Sequence, residues 1–245
     1  MSTELIPPDH LIKSVGSTPA DFVTVGRHCF DLLLKYGGLK PTDRVLDVGC
    51  GCGRSALPLT SYLTTGSYEG FDIVAESVRW CADNITPRWP RFKFQHADVF
   101  NDFYNPSSAT KAKDFRFPYA DDCFDLTFLT SVFTHMLPED VAGYTREIAR
   151  TLKPGGRAVI TFFVINEESL RLQHATDAIL KFVYSHAGAF VVDPIRPEVA
   201  VAYGEESALR LLQDNKLTPR EVYFGQWCGR KDGPSYQDLV VCDKR

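Results

Sequence analysis

The chain has 245 residues, of which 44% are hydrophobic and 24% charged, and its formal net charge is −4. That size and balance fit a globular α/β protein with a substantial core, and the mild acidity gives no electrostatic reason to expect nucleic acid. No apolar run approaches the ~20 residues a membrane span needs, and Met1 to Pro8 lacks the basic and apolar regions of a signal peptide, so a cytoplasmic location with no membrane partner is expected. Seven scattered cysteines (Cys29, Cys50, Cys52, Cys81, Cys123, Cys228 and Cys242) offer no metal-ligand spacing, so reduced thiols and no bound metal are expected.

Residues 1–40 precede the first strand. Thr18 or Asp21 can cap a helix carrying Phe22, Val25, Cys29, Leu32, Leu33 and Tyr36, which Gly37-Gly38 would end. Val15-Gly16-Ser17, just before it, could close over a ligand. The stretch Val45–Arg54 then runs from an apolar strand through Asp47 into glycines at 49, 51 and 53, with a helix from about Arg54 to Leu63. Such glycines let backbone N–H groups approach a ligand, and a helix N-terminus adds a positive dipole end. Alone the turn is ambiguous, because Gly51-x-Gly53-x-x-Ala56 also fits a loose dinucleotide fingerprint.

The second strand is read at 67–73, with Asp72 at its end, about 20 residues beyond the glycines, where nucleotide sites place a ribose-binding carboxylate. A helix over 75–84 stops before Thr86-Pro87, and the third strand, 92–99, leaves the sheet at Asp98. Residues 100–120 form a polar and aromatic loop with Asn105-Pro106 and a small basic run, Lys111, Lys113 and Arg116, read as solvated. The fourth strand, 125–130, ends at Ser131. A helix over 138–152 places Val141, Tyr144, Ile148 and Leu152 on one face. Lys153-Pro154-Gly155-Gly156 reads as a turn before a near-continuous apolar fifth strand, 157–164, suited to a parallel strand covered on both faces. Residues 166–204 break the alternation, with a helix from Glu167 to about Leu180 and apolar runs at 190–192 and 199–203. A helix over 205–215 and two closing strands, 221–227 and 237–242, complete the pattern. The alternation leaves no room for a second domain.

Residues 40–245 resemble the class I methyltransferases that use S-adenosylmethionine (SAM). The resemblance rests on Val45–Arg54, on Asp72 and Asp98 at successive strand ends, and on Leu152-Lys153-Pro154-Gly155-Gly156-Arg157. Phe115–Tyr119, Thr130–Met136, Trp227–Arg230 and Ser235–Asp238 look like a bacterial small-molecule branch. The resemblance implies one doubly wound, mostly parallel seven-stranded sheet with its last strand antiparallel. An N-terminal cap over 1–40 and a substrate-side insertion over 166–204 would complete a single domain, 1–245. It further implies that Asp47, Gly49, Gly51 and Gly53 hold the methionine part of SAM. Asp72 with Ile73 would take the ribose and adenine, Asp98 with Val99 the adenine edge, and Thr130 and Ser131 the methyl-donating side.

The same resemblance puts the hairpin between the last two strands at the ligand edge. Trp227, Arg230 and Tyr236, with His186 and Tyr203 from the insertion, are therefore candidates for a substrate wall. His135, in the turn after strand four, is the candidate base if the acceptor is a hydroxyl, and a local structural role is its competing reading. Thr130-Ser131-Val132-Phe133 stands where base or amide N-methyltransferases carry an Asn-Pro-Pro-Tyr type motif. Asp121 and Asp122 precede strand four, at the edge away from the ligand, which argues against a metal-assisted site. The expected reaction is O-methylation of a small-molecule or sugar acceptor. The alternatives are an RNA or protein methyltransferase and a non-catalytic SAM-binding module.

Overall fold

In the computed structural model, which describes residues 5–245, most strands read from the sequence join one sheet, and the apolar runs at 190–192 and 199–203 join a second. The chain opens with α1 (Asp9–Ser14) and α2 (Phe22–Lys35). It enters the sheet at β1 (Arg44–Val48), turns into the short α3 (Ala56–Leu59), and continues through β2 (Ser67–Asp72), α4 (Ala75–Asn84) and β3 (Phe92–His96). After a long loop come β4 (Phe124–Leu129), α5 (Pro138–Thr151) and β5 (Leu152–Phe162). The insertion supplies β6 (Val164–Ile165), α6 (Glu167–Ala175), β7 (Tyr184–His186), β8 (Ala189–Val191) and β9 (Val201–Gly204). The chain closes with α7 (Glu205–Asp214), β10 (Leu217–Tyr223) and β11 (Asp238–Lys244).

The main sheet has the order β10-β11-β5-β4-β1-β2-β3. Every neighbouring pair from β5 to β3 is parallel, and β11 runs antiparallel to both β5 and β10. Alternate residues of β1 feed opposite faces: Leu46 and Val48 join the core beneath α5 and α7, whereas Val45 joins the core beneath α2, α3 and α4. The strand order reverses between β1 and β4, and in open α/β sheets that switch point opens a crevice at the carboxyl ends of the strands.

Several local expectations differ: the third strand, read at 92–99, ends at His96, and the strand read at 221–227 is formed by Leu217–Tyr223. The helix after the glycine turn is only four residues long, because Pro58 lacks an N–H and the Thr60 and Ser61 hydroxyls donate to the carbonyls of Leu57 and Pro58. The expected turn at 153–156 lies within β5 as an excursion, since Phe124 pairs with Leu152 but Leu126 already pairs with Arg157. The fifth strand ends at Phe162: Val164 donates its N–H to the buried Asp238 carboxylate (2.6 Å) and starts a second sheet, β6-β9-β8-β7. The insertion helix stops at Ala175, and the Thr176 hydroxyl bonds to the carbonyls of Leu172 and Cys228.

Helix α2 lies directly on the glycine turn. Gly26, in the middle of that helix, is where the two meet: a Cβ there would stand 2.4 Å from the Arg54 carbonyl oxygen. A mid-helix glycine costs about 1 kcal/mol relative to alanine, a cost offset here by the close approach. Gly26→Ala should therefore destabilise the fold by roughly 1–3 kcal/mol despite its better helix propensity, measured by urea denaturation. A neutral or stabilising result would mean that α2 is not held against the turn.

Candidate functional site

A cavity of about 360 Å³ opens at the carboxyl ends of β1, β2 and β4. Three strand exits meet there because β1 sits between β2 and β4, and each strand ends at the same level of the parallel register.

Asp47, on β1, is buried and lines the cavity. The Tyr68 hydroxyl of β2 donates to its Oδ2 at 2.5 Å. Burial pushes the Asp47 carboxyl up to about 7. The Tyr68 bond and the Arg54 cation pull it down, and the neighbouring Asp72 charge adds to the rise. Asp72, the last residue of β2, accepts from the backbone N–H of Gly51 (2.7 Å) and of Val74 (2.8 Å). Burial raises its carboxyl as well, against the pull of those two bonds. The turn reaches Asp72 this way because Gly51 adopts a left-handed conformation, φ +51°. Any Cβ at Gly51 would stand 2.5 Å from the Val15 side chain.

Val15 belongs to the segment between α1 and α2, which closes this side of the cavity with Ser14 and Gly16. Arg54 fastens it, donating from Nη1 to the Val15 carbonyl (2.8 Å) and the Ser17 hydroxyl (2.6 Å). Its Nε is buried without a partner, as is the Ser77 hydroxyl on the first turn of α4, and both residues line the cavity.

At the exit of β4, Ser131 is a non-glycine residue at φ +63°. Such a conformation costs about 1–3 kcal/mol and persists only where its surroundings impose it. Here the Ser131 N–H donates to the Thr161 hydroxyl (2.8 Å), and Gln237 donates from Nε2 to the Ser131 hydroxyl (2.7 Å). Four residues on, His135 lines the cavity with its ring Nδ1 3.1 Å from the Glu198 carbonyl. Burial holds its pKa below the ordinary histidine value, so the ring is neutral near pH 7. Tyr104 stands edge-on to it, ring centroids 5.9 Å apart.

Asp47, Gly49, Gly51, Asp72, Ile73, Val99, Thr130, Ser131 and His135 thus share one cavity. Gly53 does not line it; a Cβ there would meet Ile85 and Cys81, so its bareness serves the packing of α4. Asp98 also stands outside the lining, exposed, with its carboxylate accepting from Asn105 Nδ2 (3.0 Å).

The structure does not bring the expected substrate wall to this cavity. None of His186, Tyr203, Trp227, Arg230 and Tyr236 lines the cavity. The hairpin touches one lining residue, Ser131, through Gln237. Trp227 is 1% exposed, packed against Phe163 and Phe182, and its indole N–H donates to Asp238 Oδ2 at 2.7 Å. Tyr203 is buried with its hydroxyl on the Met136 carbonyl (2.6 Å). Arg230 pairs with Glu168 (2.8 Å), His186 sits in the small sheet, and Tyr236 is on the surface, 48% exposed. The second sheet, whose long-range pairing no local pattern announces, covers these side chains or leaves them at its rim.

Other cavity residues escaped the sequence reading. Tyr144 carries helical periodicity and reads as core, yet it borders the cavity; Asn101 and Tyr104 lie in a stretch that reads as loop. The basic run makes local contacts: Lys111 lies 3.6 Å from the Phe100 ring centroid, Lys113 pairs with Glu139 (2.8 Å), and Arg116 is 3.9 Å from Asp121. Asp122 pairs with Lys244 (2.6 Å), and neither it nor Asp121 lines the cavity.

Residues 46–160 match a family model described as a methyltransferase domain. Among curated proteins, the chain is 28% identical over 131 residues to the ubiquinone/menaquinone biosynthesis C-methyltransferase UbiE of Bdellovibrio bacteriovorus, covering 54% of this chain and 48% of that protein. That matched span carries a methyltransferase domain, similar to the class I SAM-dependent enzymes. It is also 31% identical over 124 residues to methyltransferase GfsG of Streptomyces halstedii, covering 50% of this chain and 38% of that one. The matches therefore span less than half the length of these curated relatives. Two solved structures share the methyltransferase fold over most of the chain. A protein of Pyrococcus horikoshii aligns with TM-score 0.62 at 21% identity, covering 91% of this chain and 90% of its own. The 1,6-didemethyltoxoflavin-N1-methyltransferase of Burkholderia thailandensis aligns with TM-score 0.56 at 16% identity, covering 99% and 92%.

The corrected position of Trp227 has a measurable consequence within this methyltransferase fold. Trp227→Ala should cost about 3–5 kcal/mol of stability through the cavity it leaves. Trp227→Phe should cost about 1–3 kcal/mol, because the Asp238 carboxylate loses a buried donor. Chemical denaturation of both variants measures this, and losses below ~0.5 kcal/mol would return Trp227 to the surface.

Proposed function

We propose that this protein transfers a methyl group from SAM to a hydroxyl of a small-molecule or sugar acceptor. The observation that carries the first half is the pair of carboxylates, Asp47 and Asp72, that line one cavity together with Arg54 and the turn at Gly49 and Gly51. The cradle fits a polar ligand: side chains at Gly49 and Gly51 would collide with Val132 and Val15 at 2.4 and 2.5 Å, so the turn presents bare backbone. Two carboxylates against one guanidinium favour a ligand of net positive charge.

In this reading Asp47 holds the ammonium of SAM, with the backbone of Gly49 and Gly51 beside it, and Arg54 takes the carboxylate. Asp72 holds the ribose hydroxyls, Ile73 and Val99 flank the adenine, and Thr130 and Ser131 line the side facing the acceptor. Gly53 acts through the packing of the turn, and Asp98 through anchoring the loop at 98–110. Bound there, SAM supplies an electrophilic methyl group on a positively charged sulfur. His135 accepts the proton of the acceptor hydroxyl at Nε2, which has no hydrogen-bond partner among the described residues, and its neutral ring suits that role near pH 7. Phe100, Tyr104 and Met136 keep water from that end, so the remaining task is alignment in a dry space.

The 1–40 cap and the 166–204 insertion serve the same catalytic unit, through Val15 on the glycine turn and Glu198 on His135. A cytoplasmic location fits seven unpaired thiols. Among the described residues no helix is long and apolar enough to cross a membrane. The RNA reading is disfavoured because the basic run is already engaged within the protein.

Two measurements test this reading. S-adenosylhomocysteine at ~100 times its Kd should raise stability by ~2.7 kcal/mol, and incubation with SAM and a panel of phenols, polyols and sugars should release S-adenosylhomocysteine. Stabilisation by NAD and not by S-adenosylhomocysteine would overturn it.

The second follows from Asp47. A carboxyl raised to about 7 favours the protonated, ligand-free protein; that contribution is complete below its ordinary value of 3.8 and is lost as pH rises through about 7. Pairing with an ammonium requires the ionised form. The affinity for S-adenosylhomocysteine should therefore rise by up to ~10-fold per pH unit between about pH 5 and 6.5, flattening above about 7.5. Asp47→Asn should bind more weakly and without this slope, read by calorimetry. A flat profile in the unmutated protein would remove Asp47 from the ammonium site.

A further inference from the structure

The insertion contributes no side chain to the cavity lining, yet it reaches the cavity at one point. Pro197–Val199 is a single tight helical turn, and Glu198 within it makes two kinds of contact. Its main-chain carbonyl lies 3.1 Å from His135 Nδ1. A carbonyl can only accept, so Nδ1 carries the proton and Nε2 carries the lone pair. Its carboxylate Oε2 accepts from Asn101 Nδ2 (3.0 Å) and from the Asp102 N–H (2.9 Å).

Asn101 closes the circuit. Its Nδ2 also lies 3.4 Å from the His135 carbonyl, and its Oδ1 accepts from the N–H groups of Phe103 (3.1 Å) and Tyr104 (2.9 Å). The Tyr104 ring then stands edge-on against His135. One residue further, the Tyr203 hydroxyl from β9 of the insertion holds the Met136 carbonyl at 2.6 Å. The segment carrying His135 is thus gripped from the insertion at both 135 and 136.

We infer that Glu198 is the positioning residue for His135: its carboxylate, clasped by Asn101 and Asp102, fixes where its own carbonyl sits, and that carbonyl selects the Nδ1–H tautomer that leaves Nε2 free to act as a base. Glu198 touches no reacting atom. The inference rests on the role assigned to His135 in methyl transfer, but the tautomer is a property of the protein alone and is measured without turnover. The insertion is then a splint for the base and not a surface for the acceptor.

The test is a two-bond proton–nitrogen correlation spectrum of the histidine rings in nitrogen-15-labelled full-length protein at pH 8. It is recorded free and with S-adenosylhomocysteine, with His135→Gln to assign the signals. The unmutated protein should show His135 with a pyrrole-type Nδ1 and a pyridine-type Nε2. Glu198→Ala should lose that pattern in favour of the opposite tautomer or a mixture, with S-adenosylhomocysteine affinity within about two-fold. Glu198→Gln should restore it, because an amide oxygen can accept the same two N–H donors. Asn101→Ala opens the clasp from the other side and should also weaken the pattern, which keeps the test available if Glu198→Ala does not fold. An Nε2–H tautomer in the unmutated protein, or an unchanged pattern in folded Glu198→Ala, would overturn the inference whatever the outcome of the acceptor screen. Failure to find any acceptor alongside the expected tautomers would instead count against the methyl-transfer reading alone.

Discussion

The arrangement depends on how closely other parts of the chain approach the turn between β1 and α3. Val15 comes from the amino-terminal side, Val132 from the exit of β4, and α2 rests on the carbonyl of Arg54, each at a distance no added Cβ would permit. Native interiors are packed too densely to absorb such an intrusion without shifting an element. The turn is therefore a fixed point rather than a flexible loop. Its backbone N–H groups are presented by geometry, and Gly51 already spends one on Asp72, so the two strand ends are locked at hydrogen-bond distance.

That rigidity lets the site hold groups that would otherwise move toward water. Asp47 is buried with Tyr68 as its hydrogen-bond donor, Asp72 relies on two backbone donors, and the Arg54 guanidinium keeps one nitrogen unsatisfied. Each is unfavourable in the free protein, and together they amount to destabilisation stored at one place. A ligand offering both an ammonium and a pair of hydroxyls would pair with both carboxylates, whereas one supplying a single charge would pair with one. Discrimination of this kind comes from buried groups left unpaired by the wrong ligand, more than from added contact with the right one.

The sequence disclosed what short-range rules govern. The seven strands of the main sheet and the strand-end positions of Asp47, Asp72, Val99, Thr130 and Ser131 follow from runs of apolar residues and the punctuation after them. What it hid depends on contacts between distant segments. Trp227 reads as an aromatic at a strand end, but its direction is decided by the Asp238 carboxylate, which gathers donors from Val164, Gly225 and Trp227 itself. Tyr144 reads as helical core, and only the packing of α5 against the sheet places it at the cavity. Asp98 meets the same limit in reverse: its position in sequence suggests a ligand contact, while Asn105, seven residues on, claims its carboxylate.

The buried Asp238 also ties the start of the insertion rigidly to the main sheet. It joins the end of β5, the start of the insertion at Val164 and the closing hairpin through one side chain that is fully buried. A carboxylate so placed is tolerable only while every donor stays in position, because breaking one bond leaves a charge in the interior. The hairpin, in turn, sends Gln237 to the Ser131 hydroxyl, and Ser131 is the strained residue that redirects the chain toward His135. Two routes therefore converge on the segment after β4, one through Asp238 and Gln237 and the other through Glu198 and Asn101. The cavity beside His135 is bordered by residues from a loop, a helix and a strand exit, while the second sheet lies behind the segment at 135 and 136. Substitutions in that second sheet should therefore act on the orientation of His135, and substitutions at Phe100, Tyr104 or Met136 on the shape of the space before it.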